Sequence, residues 1–403
     1  MAALGWLAAA AVQAQEPSWF AWDTATGNWG GARQRLVNAG LTPQASYTTD
    51  LLANPTGGQK HGFAYAGLLE GSLTFDLETM LGLKGLEFFI AGSWASGRDL
   101  SAKDIGNLFT VSQVFSGQSV RLDQMYFQQT LFDDALNLAV GRLSTDDDFA
   151  TSDLYSNYVS TAINDIPLSI TENVASFSTD PVASWAVRAI VQPTDQIRLA
   201  AGVYNADPDV GEDRKNGVDF ELNPEDGVLA IAEAGCQWNQ AEGDTGLPGD
   251  ATFGGYYDSS DFDAVDEFGR ERDGNYGFYL LLDQMVHREG GPGSKQGLTP
   301  WAAFTFAPVE RVNTISFAAY GGVVYEGLVP GRADDITALG VYYGKFSDRL
   351  QDQSAETVIE ANYRLQLAPW LYVTPDFQYV FRPNGSDDID DAAVVGGEIG
   401  IVF

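Results

Sequence analysis

The stretch Asp391 to Phe403, DAAVVGGEIGIVF, decides the fold. Val395, Gly397, Ile399, Ile401 and Phe403 fall on one side of an extended chain. Val394, Gly396, Glu398 and Gly400 fall on the other. A strand with one apolar face that ends on an aromatic residue suits the closing strand of an outer-membrane β-barrel. Such a barrel has no free edge, so its last strand pairs with its first. An edge strand of a soluble β-sandwich would also fit this segment taken alone.

Working outward, four further stretches alternate cleanly. Ala45, Tyr47, Thr49 and Leu51 oppose Gln44, Ser46, Thr48 and Asp50. Leu69, Gly71, Leu73, Phe75 and Leu77 oppose Glu70, Ser72, Thr74, Asp76 and Glu78. Ala361, Tyr363, Leu365 and Leu367 oppose Glu360, Asn362, Arg364 and Gln366. Leu371, Val373, Pro375, Phe377, Tyr379 and Phe381 oppose Tyr372, Thr374, Asp376, Gln378 and Arg382. Soluble antiparallel sheets alternate too. Strands of ~9–11 residues or more, with charges kept to one face, instead match a transmembrane barrel with a wet interior.

About sixteen such strands follow along the chain, centred near Tyr47, Leu73, Ile90, Tyr126, Leu138, Ala189, Ala201, Ala232, Gly254, Leu280, Phe304, Ala319, Val341, Asn362, Phe377 and Ile399. An even number puts both chain termini on the periplasmic side. Asp133-Asp134 and Pro193-Thr194-Asp195 then read as periplasmic turns, and Ser144 to Ala183 as a long outer loop. Ala307 to Arg311 is short for an outer loop, which would let the count shift by two. A barrel of this size encloses an aqueous channel rather than a packed core. The fold class is therefore all-β: one transmembrane antiparallel barrel over residues 42–403, with a long loop folding inward.

Composition agrees. The 403 residues carry 22 Lys plus Arg against 55 Asp plus Glu, a formal charge of −33. Nucleic acid is excluded as a partner by that sign. The abundant glycine, with 23 Phe, 17 Tyr and 9 Trp, suits tight turns and two interfacial aromatic belts. No stretch reaches the ~18–20 apolar residues of a spanning helix. Leu4 to Val12, followed by Gln13-Ala14, reads as a signal peptide over residues 1–14 that lacks its basic start. Residues 15–41 read as a periplasmic segment with a short helix from about Gly31 to Ala39, closed by Gly40. Cys236 is the single cysteine and forms no internal disulfide.

Several segments, in order, resemble one family. They are WDTATGNWGGARQRLVNAGL (Trp22 to Leu41), GVYNADPD (Gly202 to Asp209), LLLDQMVHRE (Leu280 to Glu289), GLVPGRADD (Gly327 to Asp335) and AETVIEANYRLQLAPWLYVTPDFQYVFRPNG (Ala355 to Gly385). Together they resemble the OprB-like carbohydrate-selective outer-membrane porins. The resemblance implies a sixteen-stranded barrel, passive diffusion and a preference for small carbohydrates. Glu398 departs from it, a basic residue being expected in the terminal strand. The residues alone leave two other readings open: a general cation-preferring porin, and an adhesive or structural barrel with a blocked lumen.

A sugar-preferring constriction wants charged donors and acceptors for hydroxyls and aromatic faces for C–H surfaces. The loop from Ser144 to Ala183 offers Asp146, Asp147, Asp148, Asp153, Tyr155, Tyr158, Asp165 and Glu172 as an acidic and aromatic wall. The opposing donors are Arg142, where its strand meets that loop, and Arg188 and Arg198, lumenal by parity. An arginine facing lipid would cost ~2–4 kcal/mol at the midplane. Glu70, Asp76, Glu360 and Arg364 are lumenal by the same parity. Solvated surface acids are the plain alternative for the loop.

No metal site, cofactor or catalytic set is expected. SDDIDDA (Ser386 to Ala392) lacks the glycine and closing Glu of an EF-hand loop and reads as an outer loop. His61 and His287 show no ligand spacing, and no GxSxG or phosphate loop occurs. The expected partners beyond sugar are outer-membrane lipid and lipopolysaccharide, the barrel-assembly machinery during biogenesis, and further copies of the same chain.

Overall fold

The computed structural model describes residues 18–207, 210–211, 215–241, 243–267 and 269–403. The signal-peptide reading of residues 1–14, and the Pro208-Asp209 end of GVYNADPD, lie outside these described residues.

Sixteen strands form one closed antiparallel barrel among the described residues, counting His287–Arg288 as the end of the tenth. They are β1 Leu41–Gly58, β2 Gly62–Asp76, β3 Leu86–Gly97, β4 Val120–Leu131, β5 Leu136–Leu143, β6 Ser184–Thr194, β7 Ile197–Asn205 and β8 Val228–Trp238. The second half is β9 Gly249–Asp263, β10 Glu271–Gln284, β11 Gly297–Phe306, β12 Ile315–Glu326, β13 Ile336–Phe346, β14 Ala355–Ala368, β15 Leu371–Phe381 and β16 Asp390–Val402. Every expected strand centre falls inside one of them. Each strand pairs with its sequence neighbours, and β16 closes on β1 with Ser46 opposite Val402 and Asp50 opposite Glu398. The Ala307–Arg311 stretch is a genuinely short outer connection. It is held by Val265 N–H donating to the Arg311 carbonyl at 2.9 Å, so the count stays at sixteen.

The alternation sorts side chains as the pleat requires. Leu51, Leu69, Leu73, Phe377 and Val395 are exposed on the outside, with Phe127, Phe253, Tyr257 and Phe278 among the outward aromatics. Asp50, Glu360, Asp376, Gln378 and Glu398 lie inside and are buried. Tyr279 crosses inside to Gly254 on the neighbouring strand. A Cβ at Gly254 would sit 2.1 Å from the ring's Cζ, so only glycine admits that ring.

The lumen is not an open tube. Two outer loops fold into it: residues 98–119, between β3 and β4, and residues 144–183, between β5 and β6. Ile105, Phe109 and Val111 of the first, with Phe149, Tyr155, Tyr158 and Ile163 of the second, share one buried apolar cluster with wall residues such as Tyr204, Leu229, Trp301 and Tyr342. Burying a large apolar side chain in this way contributes roughly 1.5–3 kcal/mol. The loops are therefore packed against the wall rather than loosely tucked in. The expectation of a single inward loop was incomplete.

On the periplasmic side a short helix, α1 (Ala32–Asn38), precedes β1, as its sequence indicates. Gly40, at φ 87°, turns the chain into β1, and a Cβ there would meet Met80 Cγ at 2.7 Å.

Candidate functional site: the constriction between two inward loops

A loop inside a barrel must satisfy its backbone polar groups without strand partners. The wall supplies acceptors for this. Glu356 accepts from Leu108 N (2.8 Å) and Phe109 N (2.7 Å). Glu360, fully buried, accepts from Val159 N (2.6 Å), from Tyr342 Oη (2.9 Å) and from Asn362 Nδ2 (3.0 Å). Asn173 pairs with both the N–H and the carbonyl of Ile315. Asp50 accepts from Ser112 Oγ at 2.6 Å, and Gln378 Nε2 donates to Val111 O at 2.8 Å. The loops also hold each other through Gln113 N to Val159 O and Thr161 N to Thr110 O, both 3.0 Å. Charged acceptors make these bonds stronger than neutral ones. Part of the acidic excess thus works as loop anchorage.

The predicted arginine wall has a different task. Arg188 donates from Nε to Asp148 Oδ2 at 2.6 Å and also contacts Asn137. Arg198 pairs with Glu233 and donates from Nη2 to the Asp148 carbonyl at 2.8 Å. Arg142 is buried and donates to the carbonyls of Ala183 (3.0 Å) and Gly217. These arginines grip the ends of the long loop and do not face Asp148 across a gap. The reason is topological: the loop leaves β5 and folds back at once onto its neighbours β6 and β7. Parity placed the arginines in the lumen but carried no information on depth or partner.

The other predicted residues divide. Asp146 is buried, accepting from Ser144 Oγ (2.6 Å) and Asp180 N (3.0 Å). Burial and the neighbouring Asp147 and Asp180 push its carboxyl well above the usual range. Asp147 is exposed to the lumen and accepts from Gln124 Nε2 at 2.8 Å. Tyr155 is buried edge-on against Trp301, with centroids 5.1 Å apart, and lines no passage. Glu70 accepts from Ser46 Oγ at 3.1 Å on the lumenal wall. Asp76 does not line the pore: at the periplasmic end of β2 it caps a short helix, α2 (Leu77–Leu81), accepting from Glu78 N and Thr79 N. Arg364 lies over the Tyr372 ring at 4.4 Å, donates to Ser156 O at 2.7 Å and sits 3.9 Å from Glu398. Glu398 stands where a base was expected, and Arg364 of β14 faces it across β15.

What remains open is a gap between the two loops. A cavity of 160 Å³ there is lined by Thr110, Gln113 and Ser116 of the first loop and by Asp146, Thr161, Asn164, Asp165, Thr179 and Asp180 of the second. Asp180 also borders the wider space beneath, whose walls include Glu70, Asp123 and Gln124 of the barrel and Arg33 and Phe403 near the periplasm. Gap and vestibule therefore meet at Asp180. Asp165 and Asp180 are exposed to lumenal water, although protein surrounds them. That desolvation, then the nearby Asp147, Glu70 and Asp123 carboxylates, push Asp180 up to about 8. Desolvation, then Glu70 and Asp147, push Asp165 up to about 6. The sequence named the acids of the long loop but missed the whole first loop. Its signal was the apolar run Ile105, Leu108, Phe109, Val111, Val114 and Phe115 in what should have been a polar outer connection.

Comparison with known proteins agrees with this architecture. The model of the carbohydrate-selective porin, OprB family, matches residues 60–403. Porin B of Pseudomonas aeruginosa is 26% identical over 94% of this chain and 90% of its own length. The high-pH structure of Pseudomonas putida OprB superposes with a TM-score of 0.87 at 26% identity, covering 95% of this chain and 99% of that one. Its low-pH structure, at 22% identity and TM-score 0.64, shares the fold. This chain belongs to the OprB family of carbohydrate-selective porins.

Proposed function

We propose that small sugars cross the Gram-negative outer membrane through the gap between residues 98–119 and 144–183, and then through the vestibule below Asp180. Family membership makes the protein a sugar-preferring porin of that membrane and a channel rather than an enzyme. The observation that carries the route is the lining. Hydroxyls of Thr110, Ser116 and Thr179, amides of Gln113 and Asn164, and carboxylates of Asp165 and Asp180 surround one cavity. Such groups exchange hydrogen bonds with a hydroxyl-rich solute one at a time, each worth ~0.5–1.5 kcal/mol net. Many weak partners favour passage over capture. Arg142, Arg188 and Arg198 shape the route by fixing the loop rather than by touching sugar.

On the same reading, residues 1–14 are removed as a signal peptide, and the Phe403-terminated strand is what the assembly machinery receives. The test of the route is a bilayer recording of the purified protein with added glucose and maltose oligomers. Sugar should reduce ion current reversibly, and Asn164→Trp should narrow the gap and cut both ion and sugar flux. Unchanged flux in Asn164→Trp would place the passage elsewhere in the barrel.

A further inference from the structure

A pore can prefer sugars and still discriminate among them by charge. In the gap between the loops, the lining holds Asp146, Asp165 and Asp180 and, among the described residues, no lysine or arginine. The vestibule beneath adds Glu70 and Asp123, with Arg33 as the one basic side chain in its lining among the described residues. Arg33 is already engaged: it donates to the Phe403 carbonyl at 2.6 Å and to Thr24 Oγ1 at 2.8 Å, and lies over the Trp29 ring.

The arginines lie along the barrel wall: Arg121 and Arg142 act on Asp123 and Arg188 on Asp147, while the charges that act most on Asp165 and Asp180 are carboxylates. Arg188 is held by Asp148, Arg198 by Glu233, and Arg121 donates to the carbonyls of Val210 and Gly211. The gap thus presents a row of carboxylates with no guanidinium in its lining among the described residues. In a narrow lumen bounded by protein and lipid, the field of such a row is focused rather than screened away.

We infer that the passage sorts sugars by charge: it admits neutral sugars, favours cationic amino sugars, and excludes acidic sugars and sugar phosphates. An amino sugar presents an ammonium to Asp165, ionised at neutral pH, and to Asp180, which ionises as pH rises towards 8, while its remaining hydroxyls meet Thr110, Gln113 and Thr179. An acidic sugar brings a like charge into a space where no guanidinium is free to receive it. This rests on the reading that sugars use that gap.

The experiment is exchange of radiolabelled glucose, glucosamine and gluconate across proteoliposomes holding the purified protein, at pH 7 and low salt. Glucosamine should exchange faster than glucose, and gluconate slower, with a cation-to-anion ratio of roughly tenfold. Asp165→Asn plus Asp180→Asn should bring that ratio down at least threefold, read as glucosamine over gluconate so that any common change in sugar flux cancels. Heat-modifiable migration on gels, compared with wild type, confirms that the variant is folded. Equal exchange of glucosamine and gluconate, with glucose still passing, overturns the charge sorting and leaves the sugar route standing. Absence of glucose exchange overturns the route itself. A ratio that survives the double substitution overturns the assignment to these two carboxylates.

Discussion

Arg33 Nη2 donates to the main-chain carbonyl of Phe403 at 2.6 Å, which fastens the N-terminal segment to the last residue of the closing strand. Ala25 N–H adds a bond to the Val402 carbonyl at 2.8 Å, and Trp19 packs on Trp370 with ring centroids 4.4 Å apart. The segment thus clasps the seam where β16 meets β1. Nothing in the sequence of residues 18–40 identifies that contact, because its partner lies at the far end of the chain.

Removing the clasp is expected to cost stability rather than assembly. Arg33→Ala deletes a charged donor whose bond is worth roughly 1.5–3 kcal/mol, less what water restores at a partly exposed site. The temperature at which the folded gel band converts to the unfolded one should fall by a few degrees. Phe403→Asp acts earlier, on the strand itself, and should lower the amount of folded barrel in the outer membrane. A normal yield of Phe403→Asp would make the terminal aromatic incidental.

Topology can be read with single cysteines in a Cys236→Ser background. A cysteine at Lys60, between β1 and β2, should react with an impermeant thiol reagent on intact cells. One at Asp195, between β6 and β7, should react only after the membrane is opened. Gly57 and Gly385 are poor reporter sites despite lying near outer turns. Both have positive φ, and a Cβ at Gly57 would collide with the Asp391 carbonyl oxygen. Labelling of Asp195→Cys but not Lys60→Cys would invert the barrel.

Charge selectivity should depend on pH. Asp180 and Asp165 are raised to about 8 and about 6, so each gains its negative charge only as pH climbs through those values. The groups facing them are Asp146, Asp147, Glu70, Asp123 and Glu398, with no base in the lining of the gap among the described residues. Cation preference, read from reversal potentials at low salt, should therefore rise between pH 5 and pH 9 and weaken as added salt screens the field. A selectivity that is flat across that range would mean other carboxylates control the ion path.

The anchors of the long loop give a separate outcome. Arg188→Ala plus Arg198→Ala leaves Asp148 and the buried Glu233 without their bases, a change costing up to 3–5 kcal/mol for a buried pair. The start of the loop should lift from β6 and β7, raising ion conductance and weakening glucose block together. Block that persists at full strength beside a raised conductance would show the sugar path to be independent of this loop end. An unchanged conductance would mean the arginines do not position the loop.

The strands were legible because a barrel wall repeats one rule, lipid against lumen, at every second residue. Leu51 beside Asp50 and Phe377 beside Asp376 state it plainly. The constriction obeys no such period. Whether Arg188 meets a sugar or Asp148 depends on how a distant loop folds back, and neither residue's neighbours in sequence record that. Asp76 shows the limit of parity at a strand's end, where the chain turns and a lumenal face becomes a helix cap. The first inward loop left a trace in its apolar residues, since Phe109 and Val111 would be costly in an aqueous outer loop and need a place to be buried.

The apolar cluster that glues both loops to the wall has an electrical consequence. A constriction made from a loosely tethered segment flickers, and its current is noisy on the timescale of that segment's motion. Here the loops that narrow the lumen are held in place by side chains such as Phe109, Tyr155 and Tyr342 that are buried as fully as any in a soluble core. The pore is therefore expected to behave as a fixed resistor: single-channel records should show a quiet conductance without gating steps, changed by the solute inside it rather than by its own movement.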